Sequence, residues 1–382
     1  MYFYQTTPKM WFGPGALNVL PVEVSKASCS KCLVVVGPNV KRVGYAERAA
    51  QLIESAGAKC EIVSDVEPEP SLDTAERVAG RAKRLDADLV VGIGGGSSLD
   101  IAKVVSVLAG SDVALESILG IDNVPGPGIR CILVPTTAGT GTEMTPVAVL
   151  VDRVNGVKKV ITSTYIYPDV AILDSELTLS LPANPTAYSG VDALTHALEA
   201  YTAKRRNPMT DICAAEALRL IGENLRSVCE NGDDLQARDR MLFASMLAGK
   251  AFGNAGVTAV HALAHVAGAR FDIPHGIANA IMLPHVVEFN IEADPARFMG
   301  VTGLLGVEVE GKDPDYGARK LIKAIRELIS GIGLPVRLSE FGVEEKDIPG
   351  MAASALEDVQ VMSNNPREVS LEDAQKLYRK AL

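Results

Sequence analysis

The side chains best suited to chemistry are the histidines. The chain has only five, His196, His261, His265, His275 and His285, and all fall within 90 residues of its second half. Asp192 and His196 are four apart in Gly190-Val191-Asp192-Ala193-Leu194-Thr195-His196. On a helix that spacing puts both on one face, able to grip a single cation. His261 and His265 repeat the spacing, and His275 follows in Ile273-Pro274-His275-Gly276. A lone histidine on an apolar helix face usually just packs there. Two pairs at helical spacing among Ala and Leu point instead to a metal. The set offers one carboxylate, up to four imidazoles and no thiolate, which suits Fe²⁺ or Zn²⁺ rather than Ca²⁺ or Mg²⁺. No HExxH is present, so a zincin protease is not expected. His285, in Leu283-Pro284-His285-Val286, reads as a structural residue at a helix start.

A second centre of chemistry is glycine-rich. Residues 92–103 read Gly-Ile-Gly-Gly-Gly-Ser-Ser-Leu-Asp-Ile-Ala-Lys, so an apolar run ends in Gly94-Gly95-Gly96 and Ser97 offers an N-cap for a helix. Glycines let backbone N–H groups approach an anion, and a helix N-terminus adds partial positive charge, which makes a phosphate cradle. The pattern is neither GxGxxG nor a P-loop, because Lys103 comes too late. A polar loop at 136–143 follows another apolar run and holds four threonines and two glycines, donors without bulk that suit a nucleotide cleft. Two such loops at strand ends fit the rule for ligand sites in open α/β sheets. Cys29 and Cys32 have CxxC spacing, but no second CxxC exists and the six cysteines are scattered. The pair reads as two ordinary thiols ahead of a strand rather than as a disulfide framework or zinc knuckle.

The elements that must position these residues differ between the halves. Apolar, β-branched runs at 32–36, 60–63, 88–93, 130–134 and 169–173 alternate with helix-like stretches such as 46–57 and 72–85, predicting a parallel sheet buried on both faces. Beyond Leu181-Pro182-Ala183-Asn184-Pro185 strand signals nearly vanish. Helical periodicity dominates at 186–203, 209–228, 235–252, 257–270, 316–331 and 369–381. The expected domains are 1–181, α/β and dinucleotide-binding, and 182–382, all-α, metal-binding and catalytic. Hydrophobic residues make up 47% of the 382-residue chain, enough for a large core in each domain. Net charge is −10, a poor basis for binding nucleic acid or an anionic membrane. No apolar run reaches the roughly 18 residues that span a bilayer, and the N-terminus shows no secretory pattern, so a cytoplasmic protein is expected.

Taken together these motifs resemble the iron-containing (group III) alcohol dehydrogenases. The resemblance runs from Phe12-Gly13-Pro14-Gly15 to Asn365-Pro366-Arg367. It includes 94–100, the 136–143 loop, 190–201, and the segment from His261 through His275-Gly276-Ile277-Ala278-Asn279-Ala280. It implies an N-terminal Rossmann-like α/β domain, an all-α C-terminal domain of the dehydroquinate synthase-like type, and a cleft between them for NAD(P) and one divalent metal. By the same resemblance Asp192, His196, His261 and His275 are the metal ligands, whereas His265 stays free near the nicotinamide as a proton relay. The spacing alone does not separate His265 from the ligands. Gly94, Gly95, Gly96, Ser97, Asp100, Thr136, Thr137, Thr140 and Lys158 are implied cofactor contacts, with Lys159 an alternative to Lys158. Phe252, Val257, Val361 and Met362 are implied walls of a substrate pocket.

The implied reaction is metal-dependent hydride transfer between the metal-bound alkoxide of a small alcohol and nicotinamide C4. A carboxylate and three neutral imidazoles around a divalent ion leave a charge of about +1, and such ions lower the pKa of bound water to about 7. One position departs from the NAD-preferring pattern. Gly37, in Val35-Val36-Gly37-Pro38-Asn39, stands where those members carry an acid, and Lys41 and Arg42 are close in sequence. A carboxylate repels a 2′-phosphate and glycine does not, so NADP(H) is expected to be accepted or preferred alongside NAD(H). The apolar pocket residues favour a small aliphatic alcohol or aldehyde, in a homodimer. The in-class alternatives are glycerol dehydrogenase and maleylacetate reductase. Outside the class stand a dehydroquinate-synthase-like lyase, for which the expected lysine cluster is missing, and a redox-silent nucleotide-binding scaffold.

Overall fold

The apolar runs of the first half become strands. The computed structural model describes residues 1–309, 311 and 313–382. Among them are nine strands: β1 (Met10–Phe12), β2 (Lys31–Val36), β3 (Lys59–Val63), β4 (Leu89–Gly94), β5 (Gly120–Ile121), β6 (Arg130–Pro135), β7 (Val147–Asp152), β8 (Val157–Thr162) and β9 (Val170–Leu173). The five expected strands are β2, β3, β4, β6 and β9, each within one residue at either end. With β1 they form one sheet in the order β1-β9-β6-β4-β2-β3, and every pairing is parallel. Leu33 and Val35 face one side and Val34 and Val36 the other, all fully buried, which is why β2 reads as apolar throughout rather than alternating.

Five helices belong to this unit: α1 (Leu20–Lys26), α2 (Pro38–Arg42), α3 (Tyr45–Ser55), α4 (Leu72–Leu85) and α5 (Gly96–Ala109). α4 begins where Ser71 Oγ accepts the Thr74 N–H at 3.2 Å. α4 and α5 cover the Leu33 face, while α1 and α3 cover the Val34 face. From β2 the chain steps outward one way to β3, then builds the other way through β4, β6 and β9. The sheet therefore reverses between β2 and β4, and open α/β sheets bind ligands outside the carboxyl ends of strands at such a reversal. The turns at those two ends carry Gly37 and Gly95.

A second sheet, in the order β5-β8-β7, does not follow the expected all-parallel pattern, because β7 and β8 form an antiparallel hairpin. β7 and β8 are half-buried, β5 is exposed and only two residues long, and Lys158 and Lys159 make β8 read as polar, so the apolar-run signal missed this sheet. Lys103 ties this hairpin to α5. It is fully buried, and its Nζ donates to Thr142 Oγ1 (2.8 Å), Thr145 O (3.0 Å) and Val147 O (2.7 Å). Burial pushes its pKa down to about 8, against the pull of the nearby Asp100.

The other unit, Pro182–Leu382 with Met1–Tyr4 and Ala138–Thr140, is helical. It comprises α6 (Ala183–Thr202), α7 (Pro208–Glu230), α8 (Leu235–Ala255), α9 (Ala259–Phe271), α10 (His275–Asn290), α11 (Pro295–Leu304), α12 (Pro314–Gly331), α13 (Ile348–Leu356), α14 (Val359–Ser363) and α15 (Leu371–Ala381). The α/β unit comprises Gln5–Thr137 and Gly141–Leu181. α6 is buried all round from Ser189 to Ala200, so it forms the axis of the helical unit. Periodicity missed α10, α11, α13 and α14. In α10 the obstacle is Pro284, which lacks an N–H and normally ends a helix. Burial of Ile281, Met282, Leu283, Val286 and Val287 outweighs the lost hydrogen bond, so His285 lies inside α10 and not at a helix start. Among the described residues no helix is long and apolar enough to cross a membrane.

Burial pushes the His285 pKa down from 6.5 to about 4, with Arg326 and Lys380 adding to the shift and Glu288 opposing it. The folded-state value lies below the unfolded one, so between pH 6.5 and 4 the unfolded chain binds the proton more readily and stability falls as pH falls. His285→Gln should flatten the low-pH loss of stability, by at most about 1.4 kcal/mol per pH unit. Denaturant unfolding of both proteins across that range measures the difference. Identical slopes would mean that His285 is not buried neutral.

Candidate metal centre

Four of the expected residues converge inside the helical unit. α6 presents Asp192 and His196 one turn apart, α9 contributes His261, and His275 is the first residue of α10. The four offer one donor atom each, all within 4.8 Å of one another. His275 Nε2 lies 3.5 Å from Asp192 Oδ1 and His261 Nε2 lies 4.0 Å from it, while His196 Nδ1 lies 3.8 Å from Asp192 Oδ2. The His196 and His261 rings stack with centroids 4.6 Å apart. Gly276 makes this possible, since a Cβ there would stand 2.3 Å from the Tyr188 carbonyl. Only glycine lets α10 approach α6 closely enough to deliver His275.

The set fits a divalent ion. Asp192, His196 and His261 are 3%, 5% and 2% exposed. Burial pushes the His196 pKa down to about 4, leaving a neutral imidazole able to ligate. Its Nδ1 is buried without a hydrogen-bond partner among the described residues. No Lys or Arg among those residues pairs with Asp192. A buried carboxylate facing orphaned imidazole nitrogen is a site that a cation completes. One carboxylate and three imidazoles, with no thiolate, suit Fe²⁺ or Zn²⁺.

Two further residues complete the constellation and escaped the sequence reading. Glu199, 1% exposed, sits three residues after His196 on α6. It accepts from His261 Nδ1 (2.5 Å), Thr258 Oγ1 (2.6 Å) and the Val260 N–H (2.8 Å). Burial raises its pKa, but the His261 ring and the Thr258 bonds outweigh burial and hold the carboxyl below its usual range. Accepting from Nδ1–H fixes the tautomer and leaves the His261 Nε2 lone pair for the metal side, the usual role of a carboxylate behind a ligating histidine. Asn279, fully buried, donates to Asp192 Oδ1 (2.7 Å) and lies 3.3 Å from Nε2 of both His261 and His275. The i, i+4, i+7 stripe 192/196/199 and the i, i+4 pair 275/279 were the available signals.

His265 is not among the four donors. Half-buried, it stacks on His275 (centroids 5.1 Å apart, planes at 29°) and meets His261 edge-on at 5.7 Å. Phe252 stacks on His196 at 4.1 Å. Val257 is half-buried in the turn before α9, and Val361 and Met362 lie on α14, which packs on α9.

In the α/β unit, α5 starts at Gly96 with Gly95 as its N-cap, so Ser97 is in the first turn rather than at the cap. Gly95 has no side chain to cap the helix, and Gly95, Gly96 and Ser97 are half-exposed, so first-turn N–H groups stay open to an anion. Gly94, at φ +151°, makes the turn out of β4, and a Cβ there would stand 2.8 Å from Ser98 Oγ. Thr137 lies against Gly95, and Thr136 is buried nearby at the end of β6. Thr140 falls in the Ala138–Thr140 segment of the helical unit. Asp100 turns inward, accepting from Thr142 Oγ1 (2.6 Å) and the Val149 N–H (3.0 Å). Lys158 pairs with Glu69 at 2.7 Å. Gly37 is the N-cap of α2, and a Cβ on it would stand 3.1 Å from the Val66 carbonyl.

Replacing Glu199 by Gln keeps its volume but removes the charge behind His261. Metal affinity should fall about 10–100-fold, read by competition with a chromophoric chelator. Unchanged affinity would mean that Glu199 does not orient the ligand.

Comparison with known proteins agrees with this geometry. Residues 7–175 match the family described as iron-containing alcohol dehydrogenase, and residues 186–382 match its C-terminal domain. The chain is 36% identical to a sulfoacetaldehyde reductase of Bilophila wadsworthia over 97% of this chain and 96% of that one. It is also 36% identical to an NAD-dependent methanol dehydrogenase of Bacillus methanolicus, over 98% of each. A crystal structure of 1,3-propanediol oxidoreductase superposes with a TM-score of 0.97, covering 100% of both chains at 37% identity. The chain belongs to the iron-containing alcohol dehydrogenase family.

Proposed function

We propose that the protein is a metal-dependent, NAD(P)-linked oxidoreductase that interconverts small aliphatic alcohols and their aldehydes. The observation that carries this reading is the convergence of buried Asp192, His196 and His261 with half-buried His275, with no Lys or Arg beside the carboxylate among the described residues. When bound, a divalent ion supplies Lewis acidity at the substrate oxygen and the nicotinamide takes or gives the hydride at C4. The four ligands would hold Fe²⁺ or Zn²⁺, and Glu199 and Asn279 fix their orientation. His265, stacked on His275 but outside the donor set, carries the hydroxyl proton as general acid and base. Phe252, against His196, lines the substrate pocket with Val257, Val361 and Met362, and this apolar lining favours an aliphatic chain over a polyol.

The dinucleotide lies at the sheet reversal in this reading. Gly94, Gly95, Gly96 and Ser97 receive the pyrophosphate at the uncapped start of α5. Thr136, Thr137 and Thr140 supply hydroxyls, Asp100 braces the 142–149 segment, and Lys158 exchanges Glu69 for the nucleotide. Gly37 carries no carboxylate, and Lys41 and Arg42 are exposed on α2, which supports acceptance of a 2′-phosphate. The edge strand β1 leaves Met10, Trp11 and Phe12 more than a third exposed, an apolar edge suited to a second copy of the chain. Light scattering should then give twice the mass of one chain, and a monomer would reject this.

The decisive assay is cofactor absorbance with short aldehydes, using metal-stripped enzyme reloaded with Fe²⁺ or Zn²⁺ and either NADH or NADPH. Turnover should return only with metal and be at least as fast with NADPH. Faster turnover with NADH alone would overturn the Gly37 argument, and no turnover with any combination would overturn the activity. In the same assay His265→Asn should lower kcat by about 10²–10⁴-fold at unchanged metal content. A full-rate variant would remove His265 from proton transfer.

A further inference from the structure

Three of the six cysteines meet at the amino-terminal end of the parallel sheet, the end opposite the glycine turns. Cys29 lies just before β2, Cys32 is the second residue of β2, and Cys60 is the second residue of β3. Cys32 and Cys60 are direct partners in the β2–β3 ladder. Partnered residues of neighbouring parallel strands project on the same face, and strands about 4.8 Å apart place their Cα atoms within the roughly 4.4–6.8 Å that a disulfide spans. Both side chains pack on the face that carries Val34 and Val36.

The three thiols are not equivalent. Cys29 donates from Sγ to Asp88 Oδ1 at 2.8 Å, and burial with that carboxylate pushes its pKa up to about 12, so it stays a thiol. Cys32 is fully buried and stands directly opposite Cys60 in the ladder. The neighbouring thiols hold Cys60 below the ordinary thiol value and, with burial, Cys32 above it. Cys60 is only half-buried and lies on the edge strand β3. The pair therefore has a solvent-side sulfur that ionises more easily and a buried neighbour in register to receive it.

We propose that Cys60 and Cys32 form a reversible disulfide when the enzyme meets a hydroperoxide. The Cys60 thiolate attacks the peroxide oxygen, the O–O bond breaks, and Cys60 becomes a sulfenic acid as hydroxide or alkoxide leaves and takes a proton. The Cys32 sulfur then attacks the Cys60 sulfur, forming S–S and releasing water. With hydrogen peroxide, two thiols are oxidised by two electrons and two waters are produced. A small dithiol returns both thiols by exchange. The bond ties the edge strand to its neighbour and involves no residue of the metal centre.

The test uses the full-length zinc-loaded enzyme with hydrogen peroxide, so that iron does not generate radicals. Peptide mapping and intact mass should show loss of two hydrogens, consumption of two of the six thiols and a Cys32–Cys60 crosslink, all reversed by dithiothreitol. Cys60→Ser should abolish the crosslink, while Cys229→Ser should leave it intact. Oxygen addition at Cys60 without a crosslink would overturn the proposal. A crosslink through Cys29, or six unreacted thiols, would do the same. The wild-type map decides the question by itself if the Cys60 variant does not fold.

Discussion

The helical unit is organised around one electrostatic constraint: two carboxylates, Asp192 and Glu199, are buried on the same helix with only imidazoles, amides and hydroxyls for partners among the described residues. Isolated carboxylates are costly to remove from water, and their partners must be many and well placed. Glu199 meets this by collecting three donors from the start of α9. Asp192 meets it partly through Asn279 and otherwise faces three imidazole rings, an arrangement that a divalent cation balances. The burial of α6 on all sides, the glycine at 276 and the placement of His275 at the first position of α10 all follow from holding those charges in a dry interior.

The same constraint explains polar residues that otherwise look misplaced. The turn into α9 must hold Thr258 and Val260 against Glu199, and it is clamped from the far end of the chain. Asn364 donates to Ala255 O (2.8 Å) and Val257 O (3.0 Å). Asn365 and Asn290 exchange amide hydrogen bonds at 2.7 and 2.8 Å. The backbone these buried asparagines hold carries Thr258 and Val260, the groups that hydrogen-bond Glu199. In the α/β unit Lys103 and Asp100 do comparable work, fixing the 142–149 segment to α5 from inside, while the start of α5 is left uncapped and open.

Much of this was legible in the sequence, for reasons that differ by element. The parallel strands β2, β4 and β6 are buried on both faces, so composition alone marks them. Four of the metal-centre residues stand out because histidine is rare in this chain and the i, i+4 spacing survives in one dimension. The β7–β8 hairpin escaped because half-burial and two lysines blur its pattern. α10 escaped because Pro284 breaks the local rule, and only packing of the surrounding apolar residues sustains the helix.

The sequence by itself determined the two-part architecture, the chemistry of the donor set and the glycine turn between β4 and α5, because these depend on residue type and on spacing within single elements. Spacing along the chain does not say which histidine stands outside the donor set, a choice that the family resemblance implied and the tertiary structure made physical, since His261 and His265 have the same local spacing and differ in what α6 and α10 bring beside them. Tertiary structure alone decided that Glu199 and Asn279 belong to the centre, that Asp100 faces inward, and that Cys32 and Cys60 share a ladder position. Each of these is a contact between residues 28 to 87 positions or more apart or a choice between faces, and no periodicity along the chain records which partner will be there.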